Sequence, residues 1–144
     1  MDSFNRFNIK ESIVKGLAVD HITSPTSIQS LAIPLIMENK DLIGEAVTGS
    51  GKTLAYLLPS IEHIDVTSKD LHTLVIAPTH ELVVQINNVL KTLAETADYP
   101  IRTLPIMGNV NIKRQIENLK TKPHIIVGTP GRILELIKLR KIKA

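Results

Sequence analysis

Ala46-Val47-Thr48-Gly49-Ser50-Gly51-Lys52-Thr53 is the stretch whose residue types and spacing can do chemistry. Gly49 and Gly51 permit backbone conformations that a Cβ forbids, so successive N–H groups can converge on one phosphate group. A helix starting here adds unpaired N–H donors and the positive end of its dipole. Lys52 brings a mobile cation suited to β- and γ-phosphates, and the Thr53 hydroxyl is placed to ligate Mg²⁺. Phosphate-binding loops of this pattern usually open with glycine; this chain has Ala46. The plainer alternative is a Gly/Ser turn closing a βα unit, with Lys52 solvated. The flanking runs favour the phosphate site: Leu42-Ile43 reads as a short strand and Leu54 to Leu58 as a helix start.

Other elements must position this loop. Asn8 followed by Glu11 resembles a capping box, and Ile9, Ile13, Val14 and Leu17 then fall on one helical face. Ser24-Pro25 is a second helix start, an N-cap candidate before a proline at the first helical position. Behind it Ile28, Leu31, Ala32, Leu35 and Ile36 form an amphipathic stripe with Gln29 beside it, and Pro34 is a candidate kink. Beyond the loop the pattern alternates. Leu71 to Ala77 reads as a buried strand, and Thr79 can cap a helix whose apolar face runs Leu82, Val83, Ile86, Val89, Leu90 and Leu93. Ile101 to Met107 reads as a strand, Ile112, Ile116 and Leu119 as a short helix, Ile125 to Val127 as a strand, and Pro130 opens a helix through Ile133, Leu134 and Ile137. Alternating βα units with near-continuous apolar strands predict an α/β fold, a parallel sheet with helices on both faces.

Composition bounds the function. The chain has 144 residues, the usual size of one domain, and its two Phe, two Tyr and no Trp leave the core to Ile, Leu and Val. With no cysteine, disulfides and thiolate metal sites are excluded. No apolar run approaches a membrane span, and the N-terminus lacks a signal-peptide core, so a soluble, cytoplasmic protein without membrane association is expected. A net charge of +3 is only a weak pointer to polyanions. The basic end (Lys138, Arg140, Lys141, Lys143) reads as a solvated last turn that suits a helix dipole, with a nucleic-acid patch as the lesser alternative.

In an open parallel sheet, ligands bind beyond the carboxyl ends of the strands. The four expected strands are followed by Ala46–Thr53, Pro78-Thr79-His80-Glu81, Gly108-Asn109 and Thr129-Pro130-Gly131-Arg132, which strand direction would put on one edge. Backbone amides, small hydroxyls, glycines and one arginine suit phosphates. A nucleotide and a polynucleotide backbone could share such an edge.

Taken together, these motifs resemble the first RecA-like domain of the DEAD-box RNA helicases, nearly end to end. Pro25-Thr26-Ser27-Ile28-Gln29 resembles the Q motif, within a Q-motif region at 4–32, and Phe4 stands where an upstream aromatic of the family stacks on adenine. Ala46–Thr53 matches motif I, including its initial alanine, Pro78-Thr79-His80-Glu81-Leu82 resembles motif Ia, Gly108-Asn109 the glycine doublet, and Thr129-Pro130-Gly131-Arg132 motif Ib. The resemblance implies ATP and Mg²⁺ as cofactors and RNA as partner. Phe4, Thr26, Gln29 and Ala46 to Thr53 would bind ATP, with Gln29 reading adenine through its amide. Pro78, Thr79, His80, Gly108, Asn109, Thr129, Pro130, Gly131 and Arg132 would lie along the RNA backbone, with little sequence preference.

Departures from the family pattern carry their own expectations. His80 replaces an arginine, exchanging a permanent charge for a mostly neutral imidazole, so RNA affinity through that loop would be weaker or pH-dependent. Asn109 replaces the second glycine, a change the turn can survive because Asn tolerates positive φ. His21 and Ile22 stand where the Q motif often has glycine and an aromatic. The Asp-Glu-Ala-Asp motif, the Ser-Ala-Thr motif and the second RecA-like domain are absent, and no two acidic residues are adjacent. The resemblance therefore implies that residues 1–144 are a partial, incomplete ATP-binding domain, catalytically inactive alone and less stable than a complete one. Rival readings are a small-molecule P-loop kinase, which leaves the Q-motif match without purpose, and a non-catalytic nucleotide- or RNA-binding module.

Overall fold

The computed structural model describes residues 3–143. Its elements run α1 (Glu11–Val19), α2 (Ser27–Met37), α3 (Lys52–Glu62), β1 (Thr73–Ile76), α4 (His80–Thr96), β2 (Thr103–Ile106), α5 (Ile112–Asn118), β3 (Ile125–Gly128) and α6 (Pro130–Lys138), with 3-10 turns at Phe4–Phe7 and Leu119–Thr121. They group into two compact units, Met1–Ile64 with Leu93–Tyr99 and Asp65–Thr92 with Pro100–Ala144.

The first unit is helical. Phe4, Ile13, Leu17, Ile33, Leu57, Leu58 and Ile61 are its fully buried side chains. Asn8 does not cap α1. It takes a left-handed conformation (φ 57°) that closes the 3-10 turn, and Lys10 precedes the helix without a side-chain cap. An ion pair fixes this start instead: Lys10 N–H donates to Glu62 Oε2 (2.9 Å) and Lys10 Nζ to Glu62 Oε1 (3.1 Å). The second helix starts two residues later than Ser24-Pro25 predicts. Thr26 is its N-cap, in a reciprocal capping box with Gln29. The expected stripe on α2 is also rotated: Leu31 is 69% exposed, while Gln29, Ala32 and Ile33 are buried. This helix is apolar on most sides, so periodicity could not choose the face; the Gln29 hydrogen bonds did.

In the second unit three parallel strands lie in the order β1-β3-β2. Leu74, Ile126 and Leu104 share one register row, as do Ile76, Gly128 and Ile106. On that face Ile106 and Ile126 join Ile133, Leu136 and Ile142 in a buried cluster, with Ile112 and Ile116 of α5 packed against it. Ile125 and Val127, on the opposite face of the central strand, are fully buried too, as a doubly covered parallel sheet requires. Pro105 is tolerated because β2 is an edge strand of this sheet. Along α6 Leu136 is buried, whereas Leu134 is exposed.

One expected strand does not form. Residues 40–47 adopt no regular structure, and Ile43 is wholly exposed. A strand exists only through a paired neighbour, and the apolar pair Leu42-Ile43 has no ladder partner among the described residues. Three of the four expected strands are therefore present, each four residues long.

Candidate functional site

Within the first unit the loop before α3 has the shape its sequence predicts. Gly49 (φ 81°) and Gly51 (φ 87°) are both left-handed. A Cβ on Gly49 would meet nothing within 4 Å, so the backbone is open to close approach there, whereas one on Gly51 would lie 2.5 Å from Gln29 Nε2. Ser50 Oγ is buried without a hydrogen-bond partner. Lys52 curls back over the loop, its Nζ donating to the carbonyls of Ala46 and Val47, the latter at 3.0 Å. Val47, Thr48 and Gly49 are exposed, and Lys52 and Thr53 are half-buried at the start of α3. Open glycine backbone, an orphan hydroxyl, an ammonium held over the loop and a helix N-terminus together fit a phosphate chain. Thr53 also hydrogen-bonds Tyr56, whose phenol is pushed up by burial against that bond.

Gln29 belongs to this loop physically. It is 2% exposed; its Oε1 accepts from Thr26 N–H (2.9 Å) and its Nε2 donates to the Gly51 carbonyl (3.1 Å). Its amide is thus bonded to backbone, yet one N–H and one lone pair remain. Phe4 is fully buried, edge-on to Phe7 at 6.4 Å between centroids.

Within the second unit the three later turns sit at the carboxyl ends of β1, β2 and β3, and because all pairings are parallel they share one edge. Thr79 Oγ1 accepts from Leu82 N–H (3.2 Å), capping α4 as expected. Pro78, Thr79, His80, Gly108, Asn109, Pro130 and Gly131 are exposed. Thr129 is nearly buried and makes no side-chain cap, while its N–H donates to Ile106 O (3.0 Å), prolonging the ladder. Neither Gly108 nor Gly131 has positive φ, and a Cβ on either would meet nothing within 4 Å. The fold does not require glycine at these two positions. Asn109 is not left-handed either, so its presence in place of glycine strains nothing.

Arg132 turns inward. Its Nη1 donates to Val110 O (2.7 Å) and Gln115 Oε1 (2.8 Å), its Nη2 to Gly108 O (3.0 Å), and its Nε pairs with Glu135 (3.0 Å). The guanidinium clamps the Gly108-Asn109 turn, with four of its five N–H groups engaged. Sequence reasoning missed Gln115, which is buried and also donates from Nε2 to Met107 O (2.8 Å). The available signal was its place on a helical face between Ile112 and Ile116.

A family model described as DEAD/DEAH box helicase matches residues 26–144. The chain belongs to the DEAD/DEAH box helicase family. It is 46% identical over 143 residues to the ATP-dependent RNA helicase CshA of Listeria monocytogenes, covering 99% of this chain and 27% of that protein. It is 47% identical over 136 residues to the probable ATP-dependent RNA helicase YfmL of Bacillus subtilis, covering 94% and 36%. The crystal structure of a DEAD box protein from the hyperthermophile Methanococcus jannaschii matches with a TM-score of 0.91 at 30% identity, over 99% of this chain and 39% of that one. The fold is that of a RecA-like DEAD-box domain. This chain spans about a quarter to a third of the length of these curated relatives. No helix among the described residues is long and apolar enough to cross a membrane.

Proposed function

We propose that the chain is the ATP- and RNA-binding front portion of a cytoplasmic RNA helicase, in which a second RecA-like domain completes the machinery that couples ATP hydrolysis to RNA duplex remodelling. The observation that carries this reading is the bond between Gln29 and Gly51, which joins a candidate base-reading amide to the loop that fits phosphates. The N–H and lone pair left on Gln29 complement N7 and the 6-amino group of adenine; guanine has an acceptor at position 6 and would leave them mismatched. ATP with Mg²⁺ would supply the transferable phosphoryl group. The backbone of residues 46–53 and the Lys52 ammonium would hold its phosphates, Thr53 the metal, and Thr26 would support Gln29.

RNA would run along the exposed turns at Pro78, Thr79 and His80, at Gly108 and Asn109, and at Thr129, Pro130 and Gly131. Two glycines there that the fold does not need suit close approach of a sugar–phosphate backbone. Arg132 would act mainly by holding the Gly108 turn in place. Hydrolysis further needs a carboxylate that holds the metal and a group that orients the attacking water, so the 144-residue chain alone binds without turning over.

Titrating the protein with ATP and GTP tests the reading. The expected preference for ATP is at least about tenfold, collapsing toward equality in Gln29→Ala. Equal affinity for the two nucleotides in the unsubstituted protein would overturn it; a parallel loss of both in Gln29→Ala would leave Gln29 a loop brace only.

A further inference from the structure

At the opposite end of the second unit's sheet, where the strands begin, lies a groove of about 420 Å³ that the reading above does not use. Lys69 comes from the segment before β1, Lys122 from the segment before β3, and Arg140, Lys141 and Lys143 from the chain after α6. All five are exposed. Lys15, Lys40 and Lys120 elsewhere pair with Glu11, Glu38 and Glu117, but these five form no ion pair among the described residues. The one carboxylate lining the groove, Asp70, accepts from Ser68 Oγ at 3.4 Å.

The groove is built. Arg102 Nη2 donates to Ser68 O (2.8 Å) and its Nε to Lys122 O (2.9 Å), so one guanidinium fixes both segments that supply Lys69 and Lys122. The buried His124 backs it: Nδ1 accepts from Arg102 N–H (3.0 Å) and Nε2 donates to Ser68 O (3.0 Å). Lys122 (φ 55°) and Arg140 (φ 56°) sit in the left-handed conformation at helix exits. Such positions favour glycine or asparagine, because a Cβ there crowds the following carbonyl oxygen. Glycine would relieve that backbone strain, so the local conformation does not itself call for these two cations.

We propose that this groove is a second phosphodiester-binding surface, taking the backbone of a single nucleic-acid strand at the rim opposite the Thr79, Gly108 and Gly131 turns. Five cations exceed what one phosphate neutralises and match a polymer carrying one charge per residue. No aromatic lines the groove, so bases are not stacked and binding is indifferent to sequence. The apolar residues Leu71 and Ile142 lie in the floor, half-buried or buried, rather than projecting as a membrane anchor would.

The test is single-stranded RNA binding to the intact protein, followed by anisotropy across a salt series, with lysine acylation mapped by mass spectrometry. Inorganic phosphate and anionic phosphatidylglycerol vesicles serve as the other arms. RNA is expected to protect Lys69, Lys122, Lys141 and Lys143 from acylation. The double variant Lys122→Gly, Arg140→Gly should flatten the log–log salt slope by about 1.4, two contacts at roughly 0.7 each, while its melting temperature stays level or rises. Affinities for oligo(U) and oligo(A) should agree within about twofold. Bound RNA that leaves these lysines unprotected, or an unchanged salt slope in the double variant, overturns the proposal while leaving the reading of the opposite rim intact. Protection by vesicles or inorganic phosphate but not by RNA overturns it as well.

Discussion

A Cβ built on Gly128 would lie 2.5 Å from Ile133 Cδ1 and 2.9 Å from the Ile106 carbonyl oxygen, while one on Gly131 would meet nothing within 4 Å. The first glycine lets α6 close against the sheet; the second has no such duty. Gly128→Ala should therefore cost about 1–3 kcal/mol of stability through overpacking. Gly131→Ala should leave stability level or raise it by up to about 1 kcal/mol, since alanine is the better helix former. RNA affinity should respond the other way, falling about tenfold in Gly131→Ala if a strand backbone approaches there (a lost close contact of ~1.4 kcal/mol). Thermal unfolding and RNA anisotropy on the two variants check this. Unchanged RNA binding by Gly131→Ala would remove that turn from the interface.

Among the elements, the start of the sheet depends on a polar brace. His124 precedes β3, Arg102 precedes β2, and their side chains hold the loop at Val66 and Ser68 that leads into β1. Burial lowers the His124 pKa first and the Arg102 guanidinium lowers it further, against the opposing pull of the Ser68 and Val66 carbonyls and of Asp65. The unfolded chain titrates this imidazole near its ordinary value of about 6.5 and so binds the proton more readily than the folded one. The contribution is complete above that pH and is lost as pH falls below it. Protonation would also destroy the acceptor that receives Arg102 N–H. The urea midpoint should drop between about pH 7.5 and 5.5, and the drop should shrink in His124→Gln. A midpoint flat across that range would refute the brace.

For the molecule as a whole, the glycine loop before α3 and the strand-end turns are present, but the chain covers only 27% of one curated relative and 36% of another. None of its fourteen acidic residues adjoins another. Among the described residues no group of three His, Cys, Asp or Glu could hold a metal ion. The purified 144-residue chain should bind ATP yet show no RNA-stimulated phosphate release above background, as followed by a coupled phosphate assay. Turnover that RNA accelerates would show that hydrolysis needs less of the helicase than proposed. Leu42, Ile43 and Val47 are exposed in a segment without strand pairing, and Ile76 is half-exposed on edge strand β1.

By itself the sequence determined the parallel α/β pattern and the left-handed glycine loop before α3, because both are written locally. Glycine spacing specifies the left-handed loop before α3, short apolar runs specify β1, β2 and β3, and Thr79 and Pro130 announce the starts of α4 and α6. Tertiary structure alone decided which partner each group finds. It buried Phe4, rotated α2 onto Gln29, turned Arg132 onto the Gly108 turn and left Leu42-Ile43 without a strand. Hydrogen bonds and ladders between residues distant in sequence make those choices, and periodicity within one element cannot encode them. The same physics gathered Lys69, Lys122 and Arg140 from separate segments around one groove.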